Sequence, residues 1–214
     1  MIWKMRRDEQ QVGGHSGWQI FRDRWGPHAL NLADFWEWAT LDIGSNAVRT
    51  AFAEFLVRAA LDPERATLTE PGRNSDITTR SGLSIEVESA TLIRDWPAER
   101  QAHVTFAIAP QWVWDAATRK PADRLTRPAD LYVFALLKQS ERSRATPTDL
   151  DNWSFFVVSA RAIDAVERAQ PLLTLRALET RGCSPDPMWR GPLPFRSLRL
   201  EIESMAVSIR HPSV

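Results

Sequence analysis

Between Ser75 and Ala90 the chain reads Asp76-Ile77-Thr78-Thr79-Arg80-Ser81-Gly82-Leu83-Ser84-Ile85-Glu86-Val87-Glu88-Ser89. The period-two alternation on either side of Arg80-Ser81-Gly82 predicts a β-hairpin with strands Asp76 to Thr79 and Leu83 to Ser89. Side chains alternate across a strand, so Leu83, Ile85 and Val87 share one face while Ser84, Glu86 and Glu88 share the other. Glu86 and Glu88 then lie about 7 Å apart along the strand, at a rise of ~3.4 Å per residue. Antiparallel pairing brings Asp76 beside Glu86 or Glu88. Carboxylates held that close repel one another unless a proton or a cation intervenes. An all-oxygen donor set suits a hard divalent ion such as Mg²⁺ or Mn²⁺, with positions left for water and a substrate phosphate. Metal-assisted phosphodiester hydrolysis is the chemistry that follows. Taken alone, the same alternation also describes the solvated acidic face of an ordinary amphipathic strand.

The elements that must position these acids are legible on both sides of the hairpin. Leu32, Phe35, Trp36 and Ala39, then Val48, Ala51, Phe52, Phe55, Leu56 and Ala59 after Gly44, recur at helical spacing. Ser45 or Asn46 caps the second helix and Asp62-Pro63 ends it. Glu54 sits inside that helix, among apolar neighbours. The stretch Glu64 to Ser75 reads as a polar connection. Further strands are expected at His103 to Ala109, at Asp130 to Leu137 and at Trp153 to Ser159. Asp130 to Leu137 is apolar after its first residue, which predicts a central strand covered on both faces. Helices are expected at Ala160 to Ala169 and Leu175 to Arg181. Cys183 to Pro194, rich in Pro, reads as a linker. Phe195 to Ile209 forms a last helix with Leu198, Ile202 and Met205 on one face, although Leu200-Glu201-Ile202 also alternates like a strand. The order of helices, strands and helices predicts an α/β sandwich around a mixed β-sheet flanked by helices.

These segments resemble the core of the PD-(D/E)xK nuclease superfamily. There an Asp opens one strand, an acidic residue, any residue and Lys lie on the next, and a preceding helix often adds a Glu. Asp76 matches the first acid, Glu86 the second and Glu54 the helix acid. Phe35-Trp36-Glu37-Trp38-Ala39, Phe106-Ala107-Ile108-Ala109-Pro110, Trp114-Asp115, Ala129-Asp130-Leu131-Tyr132-Val133 and Leu150-Asp151-Asn152-Trp153 add to a likeness with an uncharacterised bacterial branch. It spans roughly Leu32 to Arg181. The resemblance implies a restriction-endonuclease-like fold and a Mg²⁺- or Mn²⁺-dependent nuclease acting on DNA, in bacterial defence or DNA processing. It implies Asp76 and Glu86 as metal ligands, the Val87 carbonyl as a further ligand, and Asp76, Glu86, Glu88 and Glu54 as the catalytic set. Glu88 stands where the family pattern has Lys. Some members carry Glu at this place, where it ligates metal or accepts a proton; otherwise the site is inactivated. The alternative is therefore a catalytically inactive nuclease-fold module that binds nucleic acid or a protein partner.

Composition sets the frame. The 214 residues, 43% hydrophobic and containing 10 Trp, suffice for one large domain. The reading divides them into an N-terminal arm over 1–27 packed on the body through Trp18, Phe21 and Trp25, a nuclease core over 28–182, and a Pro-rich linker and helical segment over 183–214. With 27 basic and 27 acidic residues, a polyanion must be met by a local patch. All basic residues except Lys4, Lys120 and Lys138 are Arg, the planar phosphate-matching donor. Arg73, Arg80, Arg94, Arg100 and Arg119 are candidate phosphate contacts, and Gln111, Trp112 and Trp114 could approach a substrate. The lone Cys183 excludes an intramolecular disulfide and fits a reducing cytoplasm. No apolar run has the ~18 residues of a membrane span. There is no Gly-x-Gly pair, no Gly-Lys-Ser/Thr and no His-x-x-x-His, so nucleotide phosphate loops and histidine zinc sites are not expected. A homodimer, or a place in a larger bacterial complex, is compatible with the reading.

Overall fold

A computed structural model of the chain describes residues 19–24, 26–31, 33, 45–61, 66–68, 75–92, 104–115, 120–140, 147–167 and 170–210. The chain divides into two compact units, Met1–Ile43 and Gly44–Val214. In the first, strands β1 (Ile20–Asp23) and β2 (Gly26–Asn31) pair antiparallel. This corrects the reading of an irregular arm: a hairpin forms there, with Gly26 at φ 135° in the turn. The helix expected from Leu32 to Ala39 lies outside the described residues except Ala33, which is helical.

The second unit is built on a six-stranded mixed sheet. Helix α1 (Asn46–Ala60) opens it, capped by the Ser45 hydroxyl, which accepts from Val48 N–H at 3.3 Å. Strands β3 (Ala66–Leu68), β4 (Ile77–Thr79) and β5 (Ser84–Thr91) follow. After β5 come β6 (Thr105–Ala107), the paired β7 (Gln111–Asp115) and β8 (Lys120–Thr126), and β9 (Leu131–Leu137). Strand β10 (Trp153–Ser159) runs directly into helix α2 (Ala160–Glu167), and β11 (Leu172–Thr174) into α3 (Leu175–Gly182). Strand β12 (Trp189–Leu193) and helix α4 (Phe195–Arg210) complete the unit. The sheet order is β12-β10-β9-β5-β4-β3. Only β5 and β9 are parallel, joined by the long crossover that carries β6, β7 and β8.

Burial follows the sequence pattern. Every residue of β9 is buried, as its apolar run predicts for a strand covered on both faces. On one face, Phe52 of α1 stacks on Trp153 of β10 and Phe195 of α4 packs on Phe155. Leu198, Ile202 and Met205 of α4 are buried, the face the spacing predicted. On the other face, Tyr132, Phe134 and Leu136 of β9 join Phe106, Ile163, Leu173, Leu178 and Trp189 in one apolar cluster.

Three further expectations are corrected. Glu64 to Ser75, read as a polar connection, contains β3 at the sheet edge. His103 to Ala109, read as one strand, supplies only the short β6, which pairs with β11 in a separate two-stranded sheet. Cys183 to Pro194, read as a linker, contains β12, the opposite edge of the sheet. Pro192 fits there because β12 is an edge strand whose register shifts between Phe155 and Val157 of β10. The segment after Cys183 is thus part of the central sheet and its covering helix. Among the described residues, no helix is long and apolar enough to cross a membrane.

Candidate functional site

The β4–β5 hairpin is built as its sequence predicts. Gly82 takes φ 81° in the turn, a conformation that favours glycine. Thr79 N–H donates to the Leu83 carbonyl at 2.9 Å, and Leu83 N–H donates back to the Thr79 hydroxyl at 3.0 Å. Arg210, the last residue of α4, donates to the Ser81 carbonyl at 2.6 Å and ties the turn to the C-terminal helix. Ile77 pairs with Ile85 and Thr78 with Ser84, so Asp76 stands at the next step, opposite Glu86.

Asp76 is fixed by two bonds to β5. Its N–H donates to the Ile85 carbonyl at 3.1 Å, and its Oδ2 accepts the Val87 N–H at 2.8 Å. The carboxylate thus replaces the backbone partner that β4 no longer offers Val87. A residue's N–H and C=O leave a strand on the same side, so the Val87 carbonyl also faces the Asp76 side. Glu86 and Glu88 lie on the opposite strand face from the fully buried Ile85 and from Val87. Their parallel neighbours on β9 are Tyr132 and Phe134, members of the apolar cluster. They are therefore half-buried against a hydrophobic layer, and the solvated-face reading of this strand does not hold.

Glu54 comes from α1. The helix is registered on β5 by the Thr50 and Ser89 hydroxyls, 2.9 Å apart, with Ala53, Leu56 and Val57 buried beneath it. Glu54 lies one turn after Thr50 on the same helix side, close enough for its charge to act on Asp76, Glu86 and Glu88. The four acids singled out in the sequence thus lie within electrostatic reach of one another around β5.

Their electrostatics are those of crowded carboxylates. Burial, then the charge of Asp76, pushes Glu54 up to about 7. Burial, then Asp76, Glu88 and Glu54, pushes Glu86 up to about 8. Burial, then Asp76 and Glu54, pushes Glu88 up to about 7. Asp76 is raised by burial, with the Val87 N–H acting in the opposite sense. Without a counter-charge these groups share protons near neutral pH.

By donor chemistry, four carboxylates and the Val87 carbonyl fit a hard divalent cation. As the side chains are placed, no group of three or more His, Cys, Asp or Glu among the described residues is gathered closely enough to hold one.

Sequence reasoning missed Tyr132, read only as part of an apolar strand; its neighbourhood to Glu86 depends on the β5–β9 register. It also missed Asp130, whose Oδ2 accepts from Ser84 N–H at 2.9 Å and from the Ser84 hydroxyl at 2.8 Å, pinning the starts of β5 and β9 together. Of the candidate phosphate contacts, Arg80 is exposed on the hairpin turn, while Arg73, Arg94, Arg100 and Arg119 lie outside the described residues. Gln111 and Trp112 are exposed on β7, with Trp112 opposite the exposed Leu125 of β8; the side chain of Trp114 lies outside what is described.

Compared with known proteins, the chain matches no protein-family model and no curated sequence.

Proposed function

We propose that this chain is a metal-dependent nuclease that hydrolyses phosphodiester bonds in DNA, with a restriction-endonuclease-like core. The observation that carries this reading is the convergence of Glu54, Asp76, Glu86 and Glu88 from a helix, a strand start and the adjacent strand, with raised proton affinities. That is the placement the resemblance implies: an Asp before one strand, Glu86-Val87-Glu88 on its antiparallel neighbour, and a Glu on the preceding helix. Buried carboxylates perturbed by burial and by specific charge partners are candidates for functional groups.

Asp76 and Glu86 would hold Mg²⁺ or Mn²⁺ together with the Val87 carbonyl. When bound, the ion supplies Lewis-acid activation of a phosphate and of an attacking water. Asp76 is held in place for that role by the Val87 N–H, which donates to its Oδ2 at 2.8 Å. Glu88 would accept a proton from the attacking water at its carboxylate, which requires the ionised form that a bound cation favours. Glu54 would add a further acid beside Asp76.

A plasmid-nicking assay with Mn²⁺ tests the proposal. Wild type nicks the plasmid and Asp76→Ala does not; equal nicking by both would defeat the assignment. A second reading, a nuclease-fold module that binds nucleic acid or protein without cleaving, is favoured by two observations. Glu88 replaces Lys, and the carboxylates are not drawn into a coordination sphere. It predicts salt-sensitive DNA binding without metal-dependent scission.

A further inference from the structure

Ser84, the first residue of β5, is clasped by Asp130, the residue just before β9. The Asp130 Oδ2 accepts the Ser84 N–H at 2.9 Å and the Ser84 hydroxyl at 2.8 Å. In return the Asp130 N–H donates to the Ser84 carbonyl and to the Ser84 hydroxyl oxygen, each at 3.0 Å. The Asp130 carbonyl accepts the Ala160 N–H at 3.0 Å, just past the end of β10. One residue thus joins the neighbouring strands β5, β9 and β10 at one end of the sheet.

That end carries the acids. Ser84 shares its strand face with Glu86 and Glu88, and Asp130 stands two residues before Tyr132, the β9 neighbour of Glu86. Successive amides of a strand point to opposite edges. The Ser84 N–H points to the β9 side, where paired residues start only at Leu131, and the Val87 N–H to the β4 side, where they stop at Ile77. In both places a carboxylate stands in for the missing backbone acceptor, Asp130 on one edge and Asp76 on the other. Glu86 sits between the two clamped amides.

We propose that Asp130 is a positioning residue of the acid site: acting through Ser84, it fixes β5 against β9 and so holds Glu86 in place to ligate a divalent cation. The proposal rests on the metal-site reading above. Groups of a binding site must be held to within about 0.5 Å, and a misplacement of ~1 Å made far from the chemistry can cost on the order of 100-fold.

Amide hydrogen exchange and Mn²⁺ calorimetry on the full chain test it. Asp130→Ala should speed exchange at the Ser84 and Glu86 amides and weaken Mn²⁺ binding by about 10-fold or more. Asp130→Asn keeps an oxygen acceptor for both Ser84 donors and should restore most of each. Gly191→Ala, which strains the β12 edge of the sheet, should lower stability and leave Mn²⁺ affinity unchanged. Wild-type affinity in Asp130→Ala overturns the proposal, as does an equal loss in Gly191→Ala, which would make the effect one of general stability. An Asp130→Asn protein that regains slow exchange without regaining affinity also overturns it, because the charge of Asp130 would then act on the cation directly. If wild type itself binds no Mn²⁺, the metal-site reading fails and the proposal falls with it; binding in wild type that Asp130→Ala leaves intact fails the proposal alone.

Discussion

The Val87 N–H donates to Asp76 Oδ2 at 2.8 Å across the point where β4 ends, so a carboxylate completes the ladder of β5. This bond fixes the first acid of the cluster against the strand that carries the next two. It also links site and fold, because Asp76 is both a ladder partner and a candidate ligand.

Three acids with raised proton affinities make stability depend on pH in a definite direction. Glu54, Glu86 and Glu88 bind protons more tightly folded, at about 7, 8 and 7, than in an unfolded chain. The native state therefore holds more protons over the window from the ordinary carboxylate range up to about pH 8, and stability falls as pH rises through it. Thermal melts of the metal-free protein should shift downward from pH 5 to pH 8.5, and Mg²⁺ should restore the loss most strongly at the alkaline end. The triple change of Glu54, Glu86 and Glu88 to Gln should flatten the profile. An unchanged slope in that variant would place the pH dependence elsewhere.

Glu88→Lys puts a positive charge among Glu54, Asp76 and Glu86. Repulsion becomes attraction, so the metal-free protein at pH 8 should gain on the order of 1 kcal/mol, about 2–4 °C in melting temperature for a chain of this size. On the account of Glu88 as proton acceptor, Mn²⁺-dependent cleavage should fall at least 100-fold. A rise in cleavage would mark the natural site as inactivated and favour the binding-module reading.

Gly191 is the tightest point of the β12 edge. Its φ is 137°, and a Cβ there would meet the Phe155 carbonyl oxygen at 2.8 Å and Phe156 Cδ1 at 2.5 Å. Gly191→Ala should cost roughly 2–4 kcal/mol from backbone strain and overpacking together, read by urea unfolding. A loss below about 1 kcal/mol would show that β12 is not held against β10 as described.

Much of the core was legible because local pattern and burial agree. Trp153–Ser159 is a strand with the bounds expected, β9 is buried along its whole length, and α4 buries Leu198, Ile202 and Met205. β12 was hidden because its Gly191 and Pro192 signal a break, yet an edge strand with a shifted register tolerates both. β3 was hidden because three residues at a sheet edge are stabilised by pairing with β4, not by a pattern of their own. In the site, alternation along one strand put Glu86 and Glu88 on one face, and the hairpin put Asp76 beside them. What local sequence could not supply was the layer beneath. The β5–β9 register joins residues far apart in the chain, and it sets the acids against Tyr132 and Phe134 where an amphipathic strand alone would leave them in water.

On the proposed reading, Asp76 and Glu86, with the Val87 carbonyl, hold a divalent cation among the acids of β5 and α1. Calorimetric titration of Mn²⁺ into wild type and Asp76→Ala tests it most directly. The account predicts a single binding step in wild type at neutral pH that is lost in Asp76→Ala, with both proteins folded. Absence of binding in wild type, or equal binding in the two, would contradict it.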